Sequence, residues 1–86
     1  MSDSILDEVK KLVDDTKRKE YGPIDESFNR IRRLWSEYLG MKLTHSDIAI
    51  CMILFKIARE AGKHKRDNLI DICGYIYCLD QLLGEE

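Results

Sequence analysis

Lys56, Arg59, Asp67, Asp71 and Tyr75 all fall within one stretch, KIAREAGKHKRDNLIDICGY, from Lys56 to Tyr75. They carry ammonium, guanidinium, carboxylate and phenol groups among residues that otherwise read as apolar core. On a helix, residues three or four apart share a face. Lys56 and Arg59 therefore share one, and Asp67, Asp71 and Tyr75 form a second stripe. If the chain folds back at Ala61–Lys65, the acidic stripe can meet the basic pair. Two chemistries are open at this point. One is an ion-pair network that fixes the register of a helical hairpin, each charge offsetting the other's desolvation. The other is a phosphate site in which Lys56 and Arg59 hold the anion, Asp67 and Asp71 orient the cations or accept ribose hydroxyls, and Tyr75 stacks on a base. Arg18 and Tyr21, at the first chain corner, are the further candidates for ligand contact.

Other reactive constellations fit poorly. His45 and His64 fall at predicted helix ends, and Cys51, Cys73 and Cys78 lie on apolar faces, so no nucleophile has a base beside it. No catalytic residue is assigned. No Cys-x-x-Cys pair or glycine-rich phosphate loop is present;. A hard-cation site on His64, Asp67 and Asp71 is conceivable but generic. Neither a metal nor a cofactor is expected.

The elements that must position these groups are helices. The 86 residues make one domain, 1–86, and five Gly with a single Pro argue against a turn-rich β fold;. A first helix is predicted from Ser4 to about Glu20, capped by Ser4, with Ile5, Leu6, Val9, Leu12 and Val13 at helical spacing. Tyr21-Gly22-Pro23 ends it. A second helix runs from Ile24 to Leu39, with Phe28, Ile31, Leu34 and Trp35 on its apolar stripe. Arg30, Arg32 and Arg33 lie away from that stripe, as a solvated face or a phosphate rim. Thr44-His45-Ser46-Asp47 resembles a capping box with Asp in place of Glu. It opens a third helix, to about Ala61, that is apolar on nearly every side. A fourth helix runs from Arg66 to Leu83. Gly74 inside it costs stability relative to Ala and implies close approach of another helix or a ligand.

The expected fold is all-α, a compact four-helix domain. One small subunit can hardly cover the third helix all round, so a homo-oligomer formed through it is expected; the alternative is a central helix wrapped by the other three. The net charge of −2 is nearly balanced, so nucleic acid is not an expected partner;. The N-terminus lacks the basic and apolar regions of a signal peptide, and no apolar run is long enough to span a bilayer. With unpaired cysteines on helical faces, this points to a reducing, cytoplasmic setting and no membrane.

Lys19-Glu20-Tyr21-Gly22, Phe28, Leu34-Trp35-Ser36, Leu43-Thr44 with Asp47, Lys56-Ile57-Ala58-Arg59, Asp67-Asn68 and Asp71-Ile72-Cys73-Gly74-Tyr75 together resemble a small helical family of tailed phages and prophages with no assigned function. The resemblance spans roughly residues 17–77. It implies a phage origin and an infected bacterial cytoplasm, and no reaction. Function is therefore expected from the site: a nucleotide-binding protein that sequesters a host immune signal without turnover. The alternatives are an all-α nucleoside triphosphate pyrophosphatase-like enzyme and a protein-binding phage accessory factor. The enzyme is disfavoured by the lack of Glu-x-x-Glu and by the wrong spacing of Asp67 and Asp71 for the second magnesium motif of such enzymes.

Overall fold

The computed structural model describes residues 4–84. These residues contain helices and turns and no strand. Four helical columns follow one another. The first is built from α1 (Ile5–Lys11), a π-helical segment (Leu12–Lys17) and α2 (Arg18–Tyr21). Then come α3 (Ile24–Leu39), α4 (His45–Gly62) and α5 (Arg66–Gly84). The expected apolar third helix is α4.

Local chemistry sets most of these boundaries. Ser4 caps α1, its hydroxyl accepting the Asp7 N–H at 3.2 Å;. Gly22 (φ 79°) and Gly40 (φ 66°) supply the positive backbone angles that end α2 and α3;. The capping box before α4 is complete. The Thr44 hydroxyl accepts from the Asp47 N–H at 3.1 Å, and the Asp47 carboxylate accepts from the Thr44 N–H at 2.8 Å;.

The α4–α5 hairpin is the frame of the molecule, and its two helices make the most extensive contact of any pair. Glu60 organises its turn. The carboxylate accepts from the Lys65 N–H at 3.0 Å, from the buried Asn68 amide at 3.2 Å, and bonds His64 Nδ1. The first column lies along α5. Two polar contacts pin it there: Arg66 to Glu8 at 2.8 Å, and the Tyr77 hydroxyl donating to Asp14 at 2.9 Å. α3 packs mainly against α4. Val9, Val13, Phe28, Ile48, Ala49, Ile70, Cys78 and Leu82 form the core between these layers.

The alternative of a central, wrapped α4 is not what forms. Ile48 and Ala49 are buried, but Ile50, Leu54, Phe55 and Ile57 are about half exposed. The radius of gyration is 13.6 Å, against about 12 Å for a compact domain of this length. The excess reflects an elongated shape, 47 × 30 × 22 Å along its principal axes. Among the described residues, no helix is long and apolar enough to cross a membrane.

Candidate functional site

Between the first column, α3 and the hairpin lies a cavity of about 320 Å³. Its lining is apolar at depth, with Val13, Phe28, Ile70 and Cys78, and polar elsewhere, with Lys17, Arg18, Tyr21, Lys56, Asp71 and Tyr75. Arg18, Tyr21, Lys56, Asp71 and Tyr75 were expected at the site from sequence, and all line this one space.

The π segment delivers the cations of the first column. A π turn spaces hydrogen-bonded residues five apart rather than four, and such turns recur at functional sites. Val13 points into the core, and Arg18, five residues later, donates from Nε to the Val13 carbonyl at 3.1 Å. Its Nη1 donates to the Gly22 carbonyl. Two backbone acceptors thus fix the guanidinium, while Nη2 has no hydrogen bond among the described residues. Lys17 lines the same cavity, with its ammonium 5.3 Å from the centre of the Tyr21 ring;.

The hairpin supplies the ion pair. Lys56 Nζ lies 2.9 Å from the Asp71 carboxylate, and both side chains are largely shielded, at 17% and 32% exposure. The acidic stripe and the basic pair therefore do meet, through these two residues. Tyr75, one turn on from Asp71, packs edge-on against Phe28 with ring centres 6.5 Å apart. Burial raises its pKa first, and the Asp71 charge raises it further. The phenol is thus held as a neutral donor. Burial likewise raises the Cys78 thiol, which disfavours the nucleophilic thiolate;.

Arg59 and Asp67 stand elsewhere. Arg59 is exposed and stacks on Phe55, its guanidinium carbon 4.5 Å from the ring centre. Asp67 is exposed in the first turn of α5. Neither lines the cavity, and the described residues contain no ion pair between them. Their positions match the helix dipoles: Arg59 in the last turn of α4, Asp67 in the first of α5;. Arg30, Arg32 and Arg33 are also outside the cavity, and Arg32 is held by Asn29 at 2.7 Å.

Lys17 and Phe28 are cavity residues that the sequence reading left out of the site. Lys17 carries no signal of its own, because the π segment that turns it inward has an ordinary helical sequence. Gly74, whose place inside a helix implies close approach of another helix or a ligand, lines the cavity. A Cβ added there would meet only Val13 Cγ2, at 3.6 Å, an ordinary contact. Protein packing therefore does not require the glycine. Among the described residues, no three His, Cys, Asp or Glu side chains cluster as metal ligands.

Residues 4–83 match a domain family of unknown function, DUF6378, and the chain belongs to it. The Gene 55 protein of Mycobacterium phage D29 is 40% identical over 86 residues, covering 99% of this chain and 57% of that protein. The Gene 55 protein of Mycobacterium phage L5 is 38% identical over 82 residues, covering 92% of this chain and 52% of that protein. The chain thus spans about half the length of these phage relatives. No solved structure matches.

Proposed function

We propose that this member of the DUF6378 family binds a nucleotide in the cavity and holds it without turnover. The observation that carries the reading is the convergence of Arg18, Lys56, Tyr21 and Tyr75 on one partly enclosed, apolar-floored space. Cations suit a phosphate, tyrosine rings suit a base, and Asp71 can accept sugar hydroxyls. Turnover is disfavoured by the chemistry of the lining. Among the described residues, Asp71 is its only carboxylate, and they do not supply the acidic cluster that a magnesium-dependent pyrophosphatase needs;. In a phage protein, such binding fits sequestration of a nucleotide signal of host immunity in the infected cytoplasm, an assignment by analogy of class.

A homo-oligomer belongs to the same proposal. Away from the cavity-lining residues, Ile50, Leu54 and Ile57 of α4 and Leu69, Ile76 and Leu83 of α5 are exposed. The α5 residues recur every seven positions, as in helix-packing seams. A second copy covering this side of the hairpin would bury both stripes at once.

The test is calorimetric titration with a nucleotide panel, followed by denaturation and mass analysis of the released ligand. Stoichiometric binding with intact ligand recovered supports the reading. Release of hydrolysed product in the presence of magnesium moves it to the enzyme. Binding of no nucleotide refutes it.

A further inference from the structure

Resting on that reading, we infer that the ligand is a single nucleoside monophosphate carrying a terminal phosphomonoester, rather than a cyclic dinucleotide or a nucleoside triphosphate. Two independent properties of the cavity point to this class.

Size is the first. Pockets for small ligands span roughly 300–1,000 Å³, and this one, at about 320 Å³, lies at the lower edge. One base, one sugar and one phosphate suit such a space. A cyclic dinucleotide doubles each part. Its second half would have to lie outside the walls formed by Phe28, Met52, Ile70 and Tyr75.

Charge is the second. Among the described residues, Lys17, Arg18 and Lys56 line the cavity with Asp71 as the only carboxylate, a formal excess of two positive charges. Lys56 is already paired with Asp71, so the excess resides on Lys17 and Arg18. A phosphomonoester carries about −1.5 to −2 at neutral pH. It therefore balances the site, whereas the one phosphodiester of a cyclic mononucleotide carries a single negative charge. The two phosphodiesters of a cyclic dinucleotide also total about −2, so that class is excluded by size and not by charge. A triphosphate exceeds the available cations, and the lining holds no carboxylate cluster to recruit magnesium for the remainder. The guanidinium is also prepared for the task. Its Nε and Nη1 are anchored to backbone carbonyls, so Nη2 can approach a phosphate oxygen without a large loss of side-chain freedom;.

Calorimetry on the full chain would compare AMP, GMP, CMP and UMP with their nucleosides, 3′,5′-cyclic AMP, cyclic di-AMP, ATP and inorganic phosphate. At least one monophosphate is expected to bind one-to-one, at least tenfold more tightly than its nucleoside, the cyclic compounds, ATP and phosphate. Lys17→Gln is expected to weaken that monophosphate at least tenfold and its nucleoside by clearly less, since the ammonium lies beside the Tyr21 ring as well as in the phosphate site. This variant avoids Arg18, whose loss would also free two carbonyls. Tighter binding of cyclic di-AMP or ATP overturns the inference and leaves the nucleotide reading intact. Phosphate binding as tightly as any monophosphate, or an unchanged monophosphate affinity in Lys17→Gln, also overturns it. If none of the nucleotides binds, the nucleotide reading itself falls.

Discussion

Replacing Gly74 by alanine separates the demands of folding from those of binding. Gly74 lies in the interior of α5 with ordinary helical backbone angles. Alanine in a helix interior is favoured over glycine by about 0.8–1.0 kcal/mol. The new methyl would lie 3.6 Å from Val13 Cγ2, so no clash offsets that gain. For a domain of this size, 1 kcal/mol corresponds to a rise in Tm of roughly 4–8 °C. Gly74→Ala is therefore expected to melt several degrees higher, by circular dichroism at fixed protein concentration. The same methyl projects toward the cavity lining, where it takes up space and holds a ligand away from the backbone of α5. Nucleotide affinity should fall, as read by calorimetry on the same sample. A lower Tm would refute the packing argument, because the glycine would then be relieving strain between α5 and the π segment. A higher Tm with unchanged affinity would refute the placement of ligand against this face of α5.

Three further perturbations discriminate between roles. Arg59→Ala should remain folded and change stability by no more than about 1 kcal/mol, the worth of an exposed cation–π contact, with nucleotide affinity unchanged; chemical denaturation and titration check both. Leu54→Glu places a charge in the middle of the exposed α4 stripe and should shift light-scattering mass toward a single chain without lowering helicity; a mass already that of one chain in the parent would refute self-association. The pKa of Glu60 is lowered, chiefly by the hydrogen bond with His64 and then by the Lys65 N–H. A carboxylate with a depressed folded pKa contributes stability above its unfolded value, near 4.5, and loses it as pH falls through the lower folded value;. The Tm difference between the parent and Glu60→Gln should accordingly be present at neutral pH and shrink in acid below pH 4.5; a difference that grows in acid would refute the role of the ionised carboxylate in the turn.

Helix ends were legible because their causes are local. Ser4, Gly22, Gly40 and the Thr44–Asp47 pair each act within a few residues, and the structure places the boundaries where these residues dictate. The pairing across the hairpin was legible in kind but only partly in detail. Lys56 and Arg59 share a broad face, yet they are about 60° apart around the helix at 3.6 residues per turn. That offset decides their roles. Lys56 follows Ile48 and Met52 toward α5 and reaches Asp71, while Arg59 turns outward over Phe55, four residues before it. The π segment left no mark in Leu12–Lys17, which contains neither Gly nor Pro. Its register depends on how Val9 and Val13 dock on α5, and such tertiary contacts cannot be read from spacing alone.

Departures from the most stable local choice converge on the same space. The first column widens into a π segment where it meets the cavity, although regular α-helical hydrogen bonding is the commoner arrangement;. α5 carries glycine at Gly74, where alanine would fit. Lys56 and Asp71 are partly desolvated together beside an apolar floor, and to the extent that they are buried a hydrophobic pair of similar volume is often as stable or more so;. Each is a small loss against what the rest of the chain does with its caps and apolar stripes. Local rules tend to be broken where function requires it, and these exceptions all face one cavity. A hairpin whose register alone mattered would need the ion pair, but neither the glycine nor the π segment. The ligand reading accounts for all of them, because each either opens space or presents charge in the volume between Tyr21, Lys56 and Tyr75.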